Sequence, residues 1–336
     1  MEYRRLGNTD IEVSCVCMGT WATVSGGSDY WGSQSHQDSL TAIRTSLDRG
    51  INFFDTAEDY GEGSSEQLLG EGLGDRRRDA VVATKVGPRH SRPEQIKRAC
   101  EESLQRLGTD YIDLYQIHWP SPEVAVEDQI AALMALRDEG KIRTLGVSNF
   151  GTSYLHDLQS GPVQTNQLPY SLLWRAIEFE ILPASREKGL GILAYSPLAQ
   201  GILTGKYESM EDVPDGRKQT RFFSSRWPEA AHGESGQEEL LFETVGRVRE
   251  LCRSVGEPMD RVAVAWVLAH EEVAAVIVGA RNREQAADNA EAAGVDLSAD
   301  FLQQLDSATE QLKESLGRNG DMWQHESRME RHPVRA

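Results

Sequence analysis

Long apolar runs are missing from this 336-residue chain. No stretch approaches the about eighteen residues that suggest a membrane-spanning helix. The opening segment "MEYRRLGNTDIEV" lacks the apolar core of a secretory signal, so a cytoplasmic address is expected. Cysteine is scarce: Cys15, Cys17, Cys100 and Cys252 form no C-x-x-C pair, which argues against a zinc ribbon, a thioredoxin-like site and a disulfide framework. Cys15 and Cys17 alternate with Val16 as buried strand residues would. Positive charge is short as well. With 35 Lys and Arg against 53 Asp and Glu the formal net charge is −18, which disfavours nucleic acid and anionic membranes as partners. G-x-G-x-x-G after an early strand is absent too, which counts against an open doubly wound dinucleotide fold.

What is present is a recurring unit. Short β-type runs occur at "VSCVCMG" (13–19), "INFFDTA" (51–57), "AVVATKV" (80–86) and "YIDLYQIHW" (111–119). Four more follow at "TLGVSN" (144–149), "VQTNQ" (163–167), "GILAYS" (191–196) and "VAAVIVG" (273–279). Amphipathic segments separate them. In "SRPEQIKRACEESLQRLG", Ser91 and Pro93 open a helix and Gly108 ends it. "VAVEDQIAALMALRDEGK" places its acidic residues early and Gly140-Lys141 at its end. Eight such units predict an α/β fold, a single (β/α)8 barrel over residues 1–317, with a tail at 318–336. A small hairpin turning at Gly7-Asn8 precedes the first barrel strand. The stretch 199–237, after the seventh barrel strand, is too long for a routine connection and reads as a functional loop.

In such barrels the chemistry sits at the carboxyl ends of the strands. The second strand ends in Asp55, with Tyr60 in its loop beside Gly61 and Gly63; the third carries Lys85 and the fourth His118. Singly, each has an ordinary structural role: a helix cap, a packed ring, a lysine reaching solvent, a satisfied buried histidine. Their joint placement on consecutive strands points to one site. A phenol with an ordinary pKa of about 10 is a poor proton donor at neutral pH. A neighbouring ammonium stabilises phenolate and is expected to pull that value down, while a carboxylate keeps the ammonium charged. Tyr60 is then the general acid, Lys85 its tuner and Asp55 the anchor. His118, through a ring N–H, orients a carbonyl oxygen or shares the proton. There is no evident nucleophile, and Lys and Tyr are seldom metal ligands, so no metal is expected. The reaction that suits this set is protonation of a carbonyl as hydride arrives from elsewhere.

"FFDTAEDYG", "VVATKVG", "RLGTDYIDLYQIHWP" and "GKIRTLGVSNF" resemble the aldo-keto reductase superfamily, whose tetrad is Asp, Tyr, Lys and His. The likeness continues through "NQLPYSLLWR", "GILAYSPLAQGILTGKY" and "VIVGARNREQAADN", covering residues 3 to about 312. It leans toward the bacterial branch similar to potassium-channel β-subunits. The resemblance implies NADPH, with NAD possible, bound in extended form across the barrel mouth. By position it implies catalytic roles for Asp55, Tyr60, Lys85 and His118. Ser148, Asn149 and Gln167 match residues that grip the nicotinamide carboxamide, Tyr195 the ring on which the nicotinamide stacks, and Gly19, Thr20 and Trp21 the first strand-end loop. Ser196, Leu198, Gln200 and Lys206 match the pyrophosphate loop; Gly279, Arg281, Gln285 and Asn289 match the adenosine end. Arg281 is the expected partner of a 2′-phosphate. Many members carry Arg where Gln285 stands, so Arg217 or Arg221 from the long loop are candidates to assist.

The leading expectation is NADPH-dependent reduction of an aldehyde, ketone or sugar carbonyl. Alternatives are a sugar or alcohol dehydrogenase running on NAD(P)+, or a cofactor-binding regulatory subunit. His118 favours catalysis, since the channel-binding branch does not keep it. Trp21, Tyr60 and Trp119, with Tyr30 or Trp31, offer aromatic walls that suit sugar faces and hydrophobic carbonyls equally. Trp227 and Trp323 are expected to close the site or to form subunit contacts. Oligomeric state has no signature in this sequence.

Overall fold

The computed structural model describes residues 1–24 and 30–332; residues 333–336 of the expected tail lie outside the described residues. Two short strands, β1 (Tyr3–Arg5) and β2 (Glu12–Ser14), form an antiparallel hairpin. Eight parallel strands then close into a barrel: β3 (Val16–Gly19), β4 (Phe53–Asp55), β5 (Val81–Val86), β6 (Ile112–Ile117), β7 (Ile142–Ser148), β8 (Val163–Pro169), β9 (Gly191–Tyr195) and β10 (Val273–Gly279). Each strand pairs with its sequence neighbour, and β10 pairs with β3. The expected single run 13–19 is therefore divided. Its first half pairs with β1 and its second half enters the barrel, because the chain changes partners at Cys15.

The hairpin plugs the amino-terminal end of the ring. Leu6, Ile11 and Val13 pack with the inward-facing Cys17, Phe53, Leu114 and Leu193. Burying each such side chain contributes roughly 1.5–3 kcal/mol. Gly7 makes the turn at φ 58°, and a Cβ there would meet the Gln164 carbonyl at 2.5 Å. Arg4 fastens the hairpin to the carbonyls of Val273 (2.8 Å) and Leu268 (3.0 Å).

Helices cover the outside. α1 (His36–Asp48) is capped by Ser35, whose hydroxyl accepts from Asp38 N. α2 (Ser64–Leu73) and α3 (Pro93–Leu107) follow β4 and β5. α3 begins at Pro93 rather than at Ser91, because the residue before a proline is driven out of helical space; Arg92 is extended. Gly108, left-handed at φ 63°, ends it as expected. α4 (Val126–Asp138), α5 (Thr152–Asp157), α6 (Ile181–Glu187), α7 (Glu238–Val255), α8 (Met259–Leu268), α9 (Arg283–Ala292) and α10 (Ala299–Leu316) complete the layer. The stretch 199–237 holds short 3-10 turns at 199–204, 210–212 and 215–217. After α10 the chain lies on the body: Met322 and Met329 are buried in the main core, and Met329 O accepts from Gly151 N at 2.8 Å. Among the described residues no helix is long and apolar enough to cross a membrane.

Candidate active site at the carboxyl ends of the strands

Period-two alternation decides which side chains enter the mouth. Phe53 packs inside the ring and Phe54 against the helices, so Asp55 faces in again. Ala83 and Lys85 share the inner parity of β5, as Leu193 and Tyr195 do on β9. On β3 the same rule runs Cys17 in, Met18 out, Gly19 in and Thr20 out.

Lys85 is fully buried, and its ammonium spends all three donors. They go to Asp55 Oδ1 (2.6 Å), Thr56 O (2.8 Å) and Tyr60 OH (3.3 Å). The second oxygen of Asp55 accepts from Gln167 Nε2 at 2.8 Å. Burial opposes the Lys85 charge, but Asp55 and Tyr60 outweigh it and raise its pKa. The expected depression of the Tyr60 pKa is not what the structure gives. Burial pushes the phenol up, Lys85 pulls it down, and the Asp55 charge adds to the rise, so the net direction is upward. Lys85 limits the cost of phenolate instead of creating it at rest. His118 follows β6, its ring 5.6 Å from that of Tyr60 in a T-shaped arrangement. Burial holds its pKa below the ordinary value, which favours the neutral ring.

Around this group runs a cleft of about 1000 Å³. Of the other residues singled out from sequence, Gly19, Trp21, Ser148, Asn149, Gln167, Tyr195, Ser196, Leu198, Gln200, Lys206, Gly279, Arg281, Gln285 and Asn289 line it. Thr20 does not. Its outward parity turns it into the wall, where its hydroxyl contacts Asp55 O (3.1 Å) and Ser65 Oγ (2.6 Å). Tyr195 donates to Asn149 Oδ1 at 2.9 Å, and Asn149 Nδ2 donates to Ser148 Oγ and His118 O, each at 3.0 Å. Asn149, Ser196, Ala199 and Gln200 all have positive φ without being glycine, a conformation that costs on the order of 1–3 kcal/mol per residue and concentrates at functional sites.

The far end of the cleft is cationic. Lys206, Arg217 and Arg281 line it, and none has an ion-pair partner among the described residues. A Cβ built on Gly201 would stand 3.4 Å from both Lys206 Nζ and Arg217 Nη1, so the missing side chain leaves a cradle between two cations. Burial, then Arg217 and Arg281, lowers the Lys206 pKa. Arg281 is held by Gln34 Oε1 (2.8 Å) and by Ser33 O, and Gln285 Oε1 accepts from Arg281 N at 2.9 Å. Gln285 thus fixes the arginine beside it. Arg221, the other loop candidate, turns away: it is buried against Glu234 and the carbonyls of Leu316, Asn319 and Asp321. An amide- and hydroxyl-bearing end joined to an unpaired cationic end fits a nicotinamide dinucleotide.

The aromatic wall is wider than the sequence showed. Trp21 stacks on Tyr30 (5.1 Å) and Tyr60 (6.1 Å), and meets Trp31 and Trp323 edge-on. Trp119 lines the cleft beneath the Arg328 guanidinium, 3.8 Å from its ring centroid. Trp227 instead packs under Lys218, outside the cleft lining. Sequence reading missed Arg328 and Asp59. Arg328 is remote in the chain and carries no motif; Asp59 had one signal, its place directly before Tyr60.

Known proteins share the sequence pattern and the fold of this chain. The model of the aldo/keto reductase family matches residues 15–310. The NADH-specific methylglyoxal reductase of Escherichia coli is 33% identical, over 87% of this chain and 94% of its own length. The structure of the glycerol dehydrogenase from Gluconobacter oxydans superposes with a TM-score of 0.77 at 30% identity, covering 92% of this chain and 95% of that one. A Klebsiella pneumoniae aldo-keto reductase in complex with NADPH gives 0.70 at 28% identity, covering 91% and 95%. With the barrel, the cleft and the family match extending over most of its length, the chain belongs to the aldo/keto reductase family of oxidoreductases.

Proposed function

We propose that the protein reduces the carbonyl of a small aldehyde, ketone or sugar with NADPH, Tyr60 serving as proton donor. The observation that carries this reading is the Lys85 ammonium, buried and bonded to both Asp55 and Tyr60. A reduced nicotinamide, held in this cleft, would supply the hydride that the carbonyl carbon takes up. Tyr60 gives its proton to the substrate oxygen, and the phenolate left behind lies beside a fixed cation in a site of low dielectric. Asp55, held in turn by Gln167, keeps that cation oriented. His118 positions the oxygen-bearing end of the substrate, and Trp21, Trp119 and Trp323 enclose the remainder. Ser148, Asn149, Gln167 and Tyr195 hold the nicotinamide; Lys206, Arg217 and Arg281 hold the phosphates. The NADPH complex of the Klebsiella neighbour supports the cofactor choice, while the name of the Escherichia coli relative makes NADH the comparison to run.

The likeness to a glycerol dehydrogenase supports a second reading, alcohol oxidation on the same residues in reverse. Absorbance assays with purified protein, both reduced dinucleotides and a panel of aldehydes, ketoses and keto acids, repeated with alcohols and oxidised dinucleotides, test both. Turnover abolished in Tyr60→Phe is the expected result. No turnover with any pair removes the proposal.

A further inference from the structure

Glu58 is a buried carboxyl group that the reaction described above does not use. It stands two residues before Tyr60, and its side chain is 7% exposed. Its Oε1 accepts from Gly87 N at 2.6 Å and meets His90 Nδ1 at 3.0 Å. Both partners belong to the connection that leaves β5 just after Lys85. One oxygen thus ties the loop that carries Tyr60 to the loop that follows Lys85. Beyond β4 the chain continues beside β5: Thr56 N donates to Ala83 O at 2.9 Å and Glu58 N to Lys85 O at 3.3 Å. It then turns, Tyr60 N donating to Ala57 O at 3.1 Å. On the other side, residues 88–90 form a 3-10 turn closed by His90 N on Gly87 O at 3.0 Å. That turn sets the Gly87 amide and the His90 ring on the same oxygen. Gly87 lets the two loops close up, since a side chain there would run into the Asp59 carboxylate.

We infer that Glu58 is a positioning residue for the proton-transfer step: by gripping Gly87 and His90 it fixes the turn from which the Tyr60 hydroxyl reaches the Lys85 ammonium. This rests on the reductase reading above. Asp55 and Lys85 are held by strands, β4 and β5, whereas Tyr60 is held by the loop alone. A drift of that loop therefore separates the phenol from the ammonium and leaves the Asp55–Lys85 pair intact. The Tyr60 contact, at 3.3 Å, is also the longest of the three that the ammonium makes. It has the least room to lengthen before it ceases to be a hydrogen bond. A misplacement on the order of 1 Å at a reacting group costs about 10²-fold in rate.

A second bridge joins the same two loops, from Arg89 to Asp59 Oδ1 at 2.8 Å. Arg89 is exposed, and an ion pair in water contributes little. The Glu58 contacts lie out of water, where a hydrogen bond is electrostatically stronger and its loss more costly. Burial raises the Glu58 carboxyl above its ordinary value, and the Gly87 amide, then His90, draw it back. The two donors that Glu58 holds are thus the groups that offset its own burial.

The test uses the full chain and compares Glu58→Ala with Glu58→Gln, which keeps the Oε1 acceptor without the charge. Glu58→Ala is expected to lower kcat roughly tenfold to a hundredfold with KM little changed, and Glu58→Gln to recover most of that loss. Placed in Lys85→Met protein, Glu58→Ala should cost far less than in the wild type. A loop that serves the Tyr60–Lys85 contact has nothing to serve once the ammonium is gone, and the two losses are then not additive. Additive losses, equal losses in the alanine and glutamine variants, or an unchanged kcat overturn the inference. Hydrogen exchange read by mass spectrometry needs no turnover. Faster exchange confined to segments 56–63 and 85–91 in Glu58→Ala, with protection restored in Glu58→Gln, is expected; unchanged exchange there overturns the inference while leaving the reductase reading in place. Wild-type protein that turns over no carbonyl or alcohol removes that reading and the role in proton transfer with it, and the exchange result still decides whether Glu58 ties the loops.

Discussion

Gln167 donates to Asp55 Oδ2 at 2.8 Å, joining β8 to β4 across the barrel mouth over 112 positions of sequence. The amide therefore supports the carboxylate that orients Lys85, besides facing the cleft. Gln167→Ala leaves a buried carboxylate oxygen unpaired, at a cost of about 1–3 kcal/mol. Gln167→Glu sets a second carboxylate against it and is expected to be worse. Urea unfolding of the two variants, with dinucleotide affinity measured beside it, checks the order.

Lys85→Met removes the one group that pulls the Tyr60 pKa down and leaves burial and the Asp55 charge acting together. Phenolate then costs more, and turnover is expected to fall by roughly 10²–10⁴-fold, the range of general-acid contributions. In the wild type the upward direction keeps Tyr60 protonated through neutral pH, so reduction should decline only in alkali. In the variant that alkaline limb moves higher still. A pH–rate profile measures both.

Asp59 makes acid sensitivity local. Its folded value of about 2 lies below the ordinary 3.8, so its contribution is complete above the unfolded value and vanishes as pH falls through the folded one. The difference corresponds to about 2 kcal/mol at most, the group being partly exposed. Asp59→Asn should be less stable at neutral pH and show a flatter stability profile from about pH 4 to 2. Denaturant midpoints over that range decide it.

Dinucleotide choice should reside chiefly in Arg281. Arg281→Ala is expected to weaken NADPH by roughly 10–100-fold, the value of a charge-assisted hydrogen bond or two, and to leave NADH nearly unchanged. Gln34→Ala, which removes one of the two contacts that hold the guanidinium and leaves Ser33 O, should give a smaller loss in the same direction. Fluorescence titration with both dinucleotides reads the ratio; an unchanged ratio in Arg281→Ala would reassign the adenosine end.

Glu330 fastens the tail to the body. It accepts from Thr152 N at 2.6 Å and Ser153 N at 2.9 Å, where α5 begins. Glu330→Ala is expected to cost about 1 kcal/mol, as loss of a helix cap does, and to loosen Trp323 and Arg328 at the cleft. A higher KM for substrate with little change in dinucleotide affinity is the result to look for in steady-state kinetics.

Much of this was legible because strands and tetrad are written locally. The runs that became β4, β5 and β6 each carry their candidate residue at or beside their own carboxyl end, so spotting the strand was enough to place Asp55, Lys85 and His118. Thr20 shows the limit: its position along the chain was right for the mouth, but its parity points it outward, and parity is set by where pairing begins. The division of the run 13–19 had the same origin, since one apolar stretch serves two sheets. Arg217 and Arg221 could not be separated from sequence, as only the path of an irregular loop sends one to the cleft and the other to the carbonyls after α10. The Tyr60 pKa was misjudged because burial is a property of the packed site, and the charge pattern alone left it out.

The alternation along the strands also constrains how this enzyme can change. Deleting Phe53 or Phe54 would rotate the carboxylate of Asp55 toward the helix layer, undoing the quartet at a stroke. Additions beyond the strand, such as the stretch 199–237, leave that frame intact. Diversification is thereby channelled into the rim, where length can vary freely, while the floor of the candidate site can be edited only one side chain at a time.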